Sequence, residues 1–353
     1  MTGRENFADL PAAVLAVCGW SGSGKTTLLE AVLPRLAAAG LRVAALKHDG
    51  HGVAVDRAGK DSDRLFRAGA DVLLRAPDEA FARWHDLSLA AALDLLAAEH
   101  DLVLVEGHKD TPLPKVWLGT AGDAAPPPGL ADLRAVVPWD GARIDALERF
   151  ATALVRDHHE ARPRLAGVLL GGAGARMGRT KHLLEHGGAT FVERVAAAAA
   201  PHAAEVVLLG RGEVPPALAA SRRLPDPPGL DGPIAGLLAA LRWAPATTWV
   251  VLACDLPLLD AEAVGWLLSC RRPGARAVLP LDAAGRPEPL FAAWEPQARP
   301  LLERIAAAGG GPIAAAGEPG VATPPTPAAI ARRLRNVNTP DELASLRDRR
   351  AGD

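Results

Sequence analysis

Three cysteines, Cys18, Cys254 and Cys270, are spread over 353 residues. They are too few and too far apart for a disulfide framework or a CxxC metal site. Long apolar runs are missing too, because none reaches the roughly 18 residues that a membrane-spanning helix requires. The segment Met1 to Asp9 carries Glu5 and Asp9 and lacks a basic leader, so no secretory signal is expected. A net charge of −2 offers no electrostatic footprint for general nucleic-acid binding. The expectation is a soluble cytoplasmic protein with neither nucleic acid nor membrane as partner.

Lysine is scarce in a subtler way. Of 39 basic residues only Lys25, Lys47, Lys60, Lys109, Lys115 and Lys181 are lysines. Asparagine occurs at Asn6, Asn336 and Asn338, and the sole methionine after the initiator is Met177. Arginine does not replace lysine where a compact ammonium must fit among phosphates. The few lysines that remain therefore mark positions worth following.

The chain is about twice a common single-domain length, so two domains are expected. At 49% hydrophobic and 23% charged residues it can bury real cores, which excludes wholesale disorder. Gly and Pro number 35 and 31, scattered as turns rather than repeated as in collagen. Residues 1–160 hold 17 basic and 23 acidic residues, and the remainder hold 22 and 18, giving balances of −6 and +4. Opposite signs suit two units with different electrostatic tasks.

Val14–Cys18 is a short apolar run that enters Gly19-Trp-Ser-Gly-Ser-Gly-Lys-Thr. Leu28, Leu29, Val32, Leu33 and Leu36 follow at helical spacing and Gly40 supplies a stop, with Pro34 predicting a kink or early break. Leu41–Leu46 and Leu102–Val105 read as further strands, and alternation of strands with helices implies a parallel sheet. Arg156–Arg164 reads as the linker between the domains. The pattern then restarts with strand Leu165–Leu170, a Gly-rich loop over 171–178, helix Phe191–Ala200, strand Glu205–Leu209 and apolar run Thr248–Ala253. The Ala/Gly/Pro-rich stretch Ala306–Ala329 has no clear element.

Gly19-x-x-x-x-Gly24-Lys25-Thr26 has phosphate-loop spacing between a predicted strand and a predicted helix. Glycines at these positions let backbone N–H groups turn onto phosphate oxygens, and the helix N-terminus adds its dipole. Lys25 can reach the β- and γ-phosphates while the Thr26 hydroxyl holds Mg²⁺. The candidate nucleotide-binding set is Gly19, Gly22, Gly24, Lys25, Thr26, Thr27 and Glu106. Glu106 closes an apolar strand, where a carboxylate can coordinate Mg²⁺ or a water. His48 and His51 read equally well as solvated loop residues, and zinc is disfavoured without a nearby cysteine.

Taken together, GWSGSGKTT, KHDGH, DRAGKDSDR, AGAD, LVEGHK and LPKVW resemble the molybdopterin-guanine dinucleotide biosynthesis adaptor family over roughly residues 12–150. That resemblance implies a P-loop NTPase fold and a guanine nucleotide, GTP. Nothing in the loop itself selects the base.

The second informative stretch is Leu169-Leu170-Gly171-Gly172-Ala-Gly-Ala-Arg176-Met177-Gly-Arg-Thr-Lys181. Glycines here allow close backbone approach to a nucleotide, and Arg176 and Lys181 supply cations for a triphosphate that loses pyrophosphate. Asp255 ends the strand WVVLACD at the carboxyl end of a sheet, where ligands of open α/β sheets bind. A hard cation prefers such oxygen ligands together with substrate phosphates, so Asp255 is the candidate metal ligand. Asp226, in LPDPPGLDGPIAG, is either a second ligand or a nucleotide contact, ahead of a Gly232-Pro233-Ile234 turn that opens a helix. The expected site comprises Arg176, Lys181 and Asp255 as catalytic residues, with Leu169, Leu170, Gly171, Gly172, Lys181, Asp226 and Asp255 around the nucleotide.

The Gly-rich loop, GPIAG, ACDLPLL and Asn336-Val-Asn338-Thr-Pro-Asp-Glu-Leu resemble the molybdenum cofactor guanylyltransferase family over roughly 164–347. Thr180 stands where relatives usually have Asp, and Leu170 where Ala is common. By this resemblance the second half has a Rossmann-like nucleotidyltransferase fold, and Asn336 and Asn338 are candidate contacts to the pterin. The implied reaction transfers GMP from GTP to Mo-molybdopterin, with Mg²⁺ as cofactor and pyrophosphate as product. The whole chain is then expected as an α/β fusion of a P-loop GTP-binding adaptor domain (1–158) and a guanylyltransferase domain (159–353). Molybdoenzymes or their chaperones are the expected protein partners, and self-association is left open. Two alternatives stand beside this reading: CMP transfer from CTP to the same cofactor, and a non-catalytic nucleotide-gated delivery module.

Overall fold

The computed structural model describes residues 7–48, 56–122, 125–171 and 181–337. Gly172, Arg176, Asn338, His51 and Thr180 from the sequence reading lie outside these residues. The chain divides into two compact units, Met1–Ala39 with Val43–Thr152 and Gly40–Arg42 with Ala153–Asp353. Among the described residues no helix is long and apolar enough to cross a membrane.

The first unit contains β1 (Ala13–Gly19), α1 (Lys25–Ala38), β2 (Val43–Lys47) and α2 (Asp61–Arg67). It continues with β3 (Val72–Arg75), β4 (Ala80–Arg83), α3 (Leu89–Ala97), β5 (Leu102–Glu106), β6 (Lys115–Leu118), β7 (Leu133–Val137) and the start of α4 (Arg143–Ala161). Five strands form a sheet in the order β2-β5-β1-β6-β7, every pairing parallel. β1 is central and its residues Ala13 to Cys18 are buried, which is why it reads as an unbroken apolar run rather than an alternating one. β3 and β4 form a separate antiparallel ribbon.

Two expectations fail here. Pro34 neither stops nor breaks α1, which runs through it to Ala38. Val32 and Leu36 are both fully buried on either side of the exposed proline, and that burial offsets the missing N–H bond. Nor is Arg156–Arg164 a free linker, since α4 continues to Ala161 and β8 starts at Arg164. Leu147, Ala151 and Val155 are buried at intervals of four, so an apolar stripe extends α4 into the charged segment, and Pro163 stands beyond its end.

The second unit follows with β8 (Arg164–Leu169), the short ribbon β9 (Glu185–His186) and β10 (Ala189–Thr190), and α5 (Phe191–Ala199). Then come β11 (Val206–Leu209), β12 (Arg223–Leu224), α6 (Pro233–Trp243), β13 (Thr248–Ala253), α7 (Ala261–Ser269) and β14 (Ala277–Val278). β15 (Phe291–Trp294), α8 (Ala298–Ala307), β16 (Val321–Ala322) and α9 (Ala328–Ala331) complete it. Its sheet order is β12-β11-β8-β13-β15-β14-β16. β12, β11, β8 and β13 are mutually parallel, whereas β15 runs antiparallel to both β13 and β14. The unplaced stretch 306–329 thus holds β16, a 3₁₀ turn and the start of α9.

Apolar clusters cover this sheet. One gathers Val168, Val192, Leu208, Leu252 and Phe291, and another gathers Leu209, Leu237, Leu241, Trp249 and Trp294. Gly236 in GPIAG exists for packing: a Cβ there would stand 2.6 Å from Leu169 Cδ2, so α6 approaches β8 only without a side chain. A buried ion-pair network ties the unit together. Glu295 accepts from Arg162 at 2.7 Å and from Arg271 at 2.6 Å, and Thr248 Oγ1 donates to it at 2.8 Å.

Candidate functional site

Both candidate sites lie at carboxyl ends of parallel strands, where backbone amides and strand-end side chains converge. In the first unit β1 delivers the chain into the loop Gly19 to Gly24, and Lys25 opens α1. Gly24 has φ 70°, a left-handed conformation that glycine adopts without strain. No side chain caps α1, so its first amides stay available to an anion. Lys25 Nζ donates to the carbonyls of Gly19 at 3.1 Å and Trp20 at 3.0 Å, folding its ammonium over the loop it would share with phosphate.

Thr26 Oγ1 lies 3.1 Å from each oxygen of Glu106. β5 carries Glu106 beside β1, and β2 brings Lys47 Nζ to 3.7 Å from the same carboxylate. The structure therefore brings Glu106, expected from its place at a strand end, onto Thr26 beside Lys25, and adds Lys47, which the sequence marked through its rarity and its place in KHDGH. The His48 and His108 rings stand 4.5 Å apart. Burial first, and then the charge of His48, lower the pKa of His108, which favours a neutral imidazole there. Burial raises the Cys18 thiol pKa, and its Sγ donates to the Gly107 carbonyl at 3.1 Å.

The carboxylates of DRAGKDSDR are tied into the fold. Arg83 pairs with Asp56 at 2.9 Å and Asp63 at 3.2 Å, and Ser62 donates to Asp56 at 3.0 Å. The Gly59 N–H first, and Arg67 after it, hold the Asp63 carboxyl down at about 2.

The second unit contains a cavity of about 410 Å³, within the range of small-molecule sites. Its lining gathers Leu169, Leu170 and Gly171 at the end of β8, Lys181, Asp226, and Ala253, Cys254 and Asp255 at the end of β13. Every expected residue of this site that lies within the described residues thus meets at one cavity, apart from Asn336. Lys181 Nζ lies 3.6 Å from Asp255 Oδ2, each side chain 20% exposed. Leu209, Gly210, Arg211, Gly232, Pro233 and Leu290, outside the expected set, also line it, and of these Arg211 and Leu290 had drawn no notice in the sequence. Apart from Arg211, one arginine among many, they carry no charged or nucleophilic group.

Asp226 stands over the turn after β11, where a Cβ on Gly210 would be 3.5 Å from its Oδ1. α6 starts at Pro233 behind Gly232, again with no side-chain cap. Burial first, then the Asp255 charge, push the Cys254 thiol up to about 12. Asn336 is exposed, and the next residue, Val337, is buried and donates its N–H to the Asp255 carbonyl at 3.2 Å. The Asn336 backbone is thereby fixed beside the strand end that carries Asp255.

A family model described as molybdopterin guanine dinucleotide synthesis protein B matches residues 14–138, and one described as MobA-like NTP transferase domain matches 166–319. The molybdopterin-guanine dinucleotide biosynthesis adapter protein of Haemophilus influenzae is 43% identical over 117 residues, covering 32% of this chain and 66% of that protein. Its Escherichia coli counterpart is 37% identical over 131 residues, covering 35% and 75%. The molybdenum cofactor guanylyltransferase of Rhodobacter capsulatus is 34% identical over 194 residues, covering 53% and 96%. The chain belongs to both families. Its first sheet and P-loop form the adapter unit, and the cavity with Lys181 and Asp255 lies in the guanylyltransferase unit.

Proposed function

We propose that the guanylyltransferase unit transfers GMP from GTP to Mo-molybdopterin, giving Mo-molybdopterin guanine dinucleotide and pyrophosphate. The fused adapter unit binds GTP on its P-loop. The observation that carries this reading is the Lys181–Asp255 pair, 3.6 Å apart on a 410 Å³ cavity walled by glycine-containing strand ends.

The terminal phosphate oxygen of the pterin attacks the α-phosphorus of GTP, the α–β bridging P–O bond breaks, and pyrophosphate leaves with the bond's electrons. A phosphate nucleophile is already anionic near neutral pH, so no side chain has to remove a proton first. Lys181 and Arg176 act on the phosphates that leave, as fixed cations aimed at developing charge. Asn336 and Asn338 contact the pterin. Leu169, Leu170, Gly171, Gly172 and Asp226 hold the nucleotide against the sheet end.

The residues present fit a hard divalent ion. Asp255 and Asp226 offer carboxylate oxygens on one cavity, and among the described residues no cluster of three or more His, Cys, Asp or Glu would enclose a metal. Mg²⁺ suits such a site because it takes one or two carboxylates and fills its shell with phosphates and water. Asp255, with Asp226, would hold it there, and Thr26 with Glu106 would do so in the adapter unit. When bound, the ion neutralises and orients phosphate oxygens. The expected setting is the cytoplasm, with molybdoenzymes or their chaperones as recipients.

Pyrophosphate release from GTP in the presence of Mo-molybdopterin tests the reading. Wild type should release it and Asp255→Ala should not. Preference for CTP would overturn the guanylyl assignment, and undiminished release by Asp255→Ala would overturn the site.

A further inference from the structure

The strand ends of the adapter unit are chemically two-sided. On one side of β1, strands β5 and β2 bring Glu106 and Lys47 up to Thr26. On the other side lie β6 and β7, and Trp139 follows two residues beyond β7. Its indole is 46% exposed, yet it lies against the P-loop: a Cβ on Gly24 would meet the ring at 3.5 Å. Arg143, the first residue of α4, fixes it there. The Arg143 guanidinium sits over the ring, 4.4 Å from its centroid, and Nη2 donates to the Ser23 carbonyl at 2.8 Å.

An anion cradle therefore has the Glu106–Lys47 pair on one flank and, on the other, a large, half-exposed aromatic surface braced by Arg143. An anionic tail with a flat aromatic head, which is what a nucleoside triphosphate offers, matches both flanks. The phosphates' ionic partners occupy the β5 and β2 side, so the nucleoside end points toward β6 and β7. We infer that Trp139 is the platform on which the base of the bound nucleotide stacks, with Arg143 as the positioning residue that pins the indole to the P-loop. This rests on the reading that the P-loop holds a nucleotide. Stacking is tolerant of base identity, so Trp139 supplies affinity and leaves the choice of guanine to other groups.

The test is calorimetric titration of the full chain carrying Lys181→Ala, which weakens the second pocket, with GTP and separately with inorganic tripolyphosphate. Trp139→Ala should weaken GTP binding by about tenfold, the scale of losing one aromatic stacking partner. Tripolyphosphate binding should change less than about twofold, which also shows that the variant folds. Trp139→Phe should restore most of the affinity. Arg143→Met should give a smaller loss confined to GTP, restored by Arg143→Lys. Equal losses for the two ligands, no loss for GTP, or a GTP-selective loss on Trp20→Ala in place of Trp139→Ala would overturn the assignment. Failure of the parent protein to bind either ligand would instead remove the P-loop reading, and this inference with it.

Discussion

The two sites solve the storage of an ammonium group differently. In the adapter unit Lys25 rests on backbone carbonyls while Glu106 is engaged by Thr26 and Lys47. In the guanylyltransferase unit Lys181 stands directly against Asp255. The first arrangement leaves Lys25 itself on neutral dipoles, with Lys47 taking the carboxylate, so a phosphate tail can take Lys25 by displacing carbonyls. The second is charge-compensated before ligand arrives, and phosphates must repartition the pair.

The helices that open at the two sites, by contrast, are alike. α3, α5 and α7 are capped by Ser88, Thr190 and Asp260, which consume their leading amides. α1 and α6, which open at the two sites, have no side-chain cap. α2 and α8 are uncapped as well, so a bare helix start acquires meaning only beside a cradle.

The largest effect expected of a substitution separates the units by stability. Glu295→Gln would leave Arg162 and Arg271 buried without their carboxylate, and such a loss costs about 3–5 kcal/mol. Burial alone would raise the Glu295 carboxyl, but the two arginines overcome it and hold it at about 2. Its folded value lies below the ordinary 4.5, so the stabilisation is complete above that pH and is lost as pH falls toward about 2. Denaturant melts across this window should show the guanylyltransferase unit losing stability on acidification, with the dependence reduced in Glu295→Gln.

Next in size is Asp255→Ala, expected to slow pyrophosphate release by on the order of 10²–10³-fold while nucleotide binding at the P-loop persists. Equal damage to both functions would dissolve the distinction between the sites. Lys25→Ala should weaken P-loop affinity by roughly 10- to 100-fold, the worth of charged hydrogen bonds, and largely spare transfer. Smallest is Thr190→Ala, which removes the α5 capping box and should cost about 1 kcal/mol in a thermal melt, with GTP affinity at the P-loop unchanged.

Much of this was legible in the residues. Lys25, Thr26 and Glu106 met because a strand, a glycine loop and a helix can close in few ways, and Asp255 followed from its place at the end of an apolar run. Arg156–Arg164 misled because its charges hid the buried stripe of Leu147, Ala151 and Val155 that makes it helix. Trp139 and Arg143 gave no signal, being more than a hundred residues from the glycines they touch.

Composition and spacing by themselves determined two α/β units, a phosphate loop in one and a glycine loop with Lys181 and Asp255 in the other. Those features are local, set by backbone freedom at glycine and by the periodicity of apolar side chains. Tertiary structure decided which distant groups complete each site: Lys47 on Glu106, Trp139 on Gly24, Asp226 over Gly210, Val337 on Asp255. Strand order chooses these neighbours, and it is fixed by how the sheets bury their faces, a sum over the whole core that no single motif records.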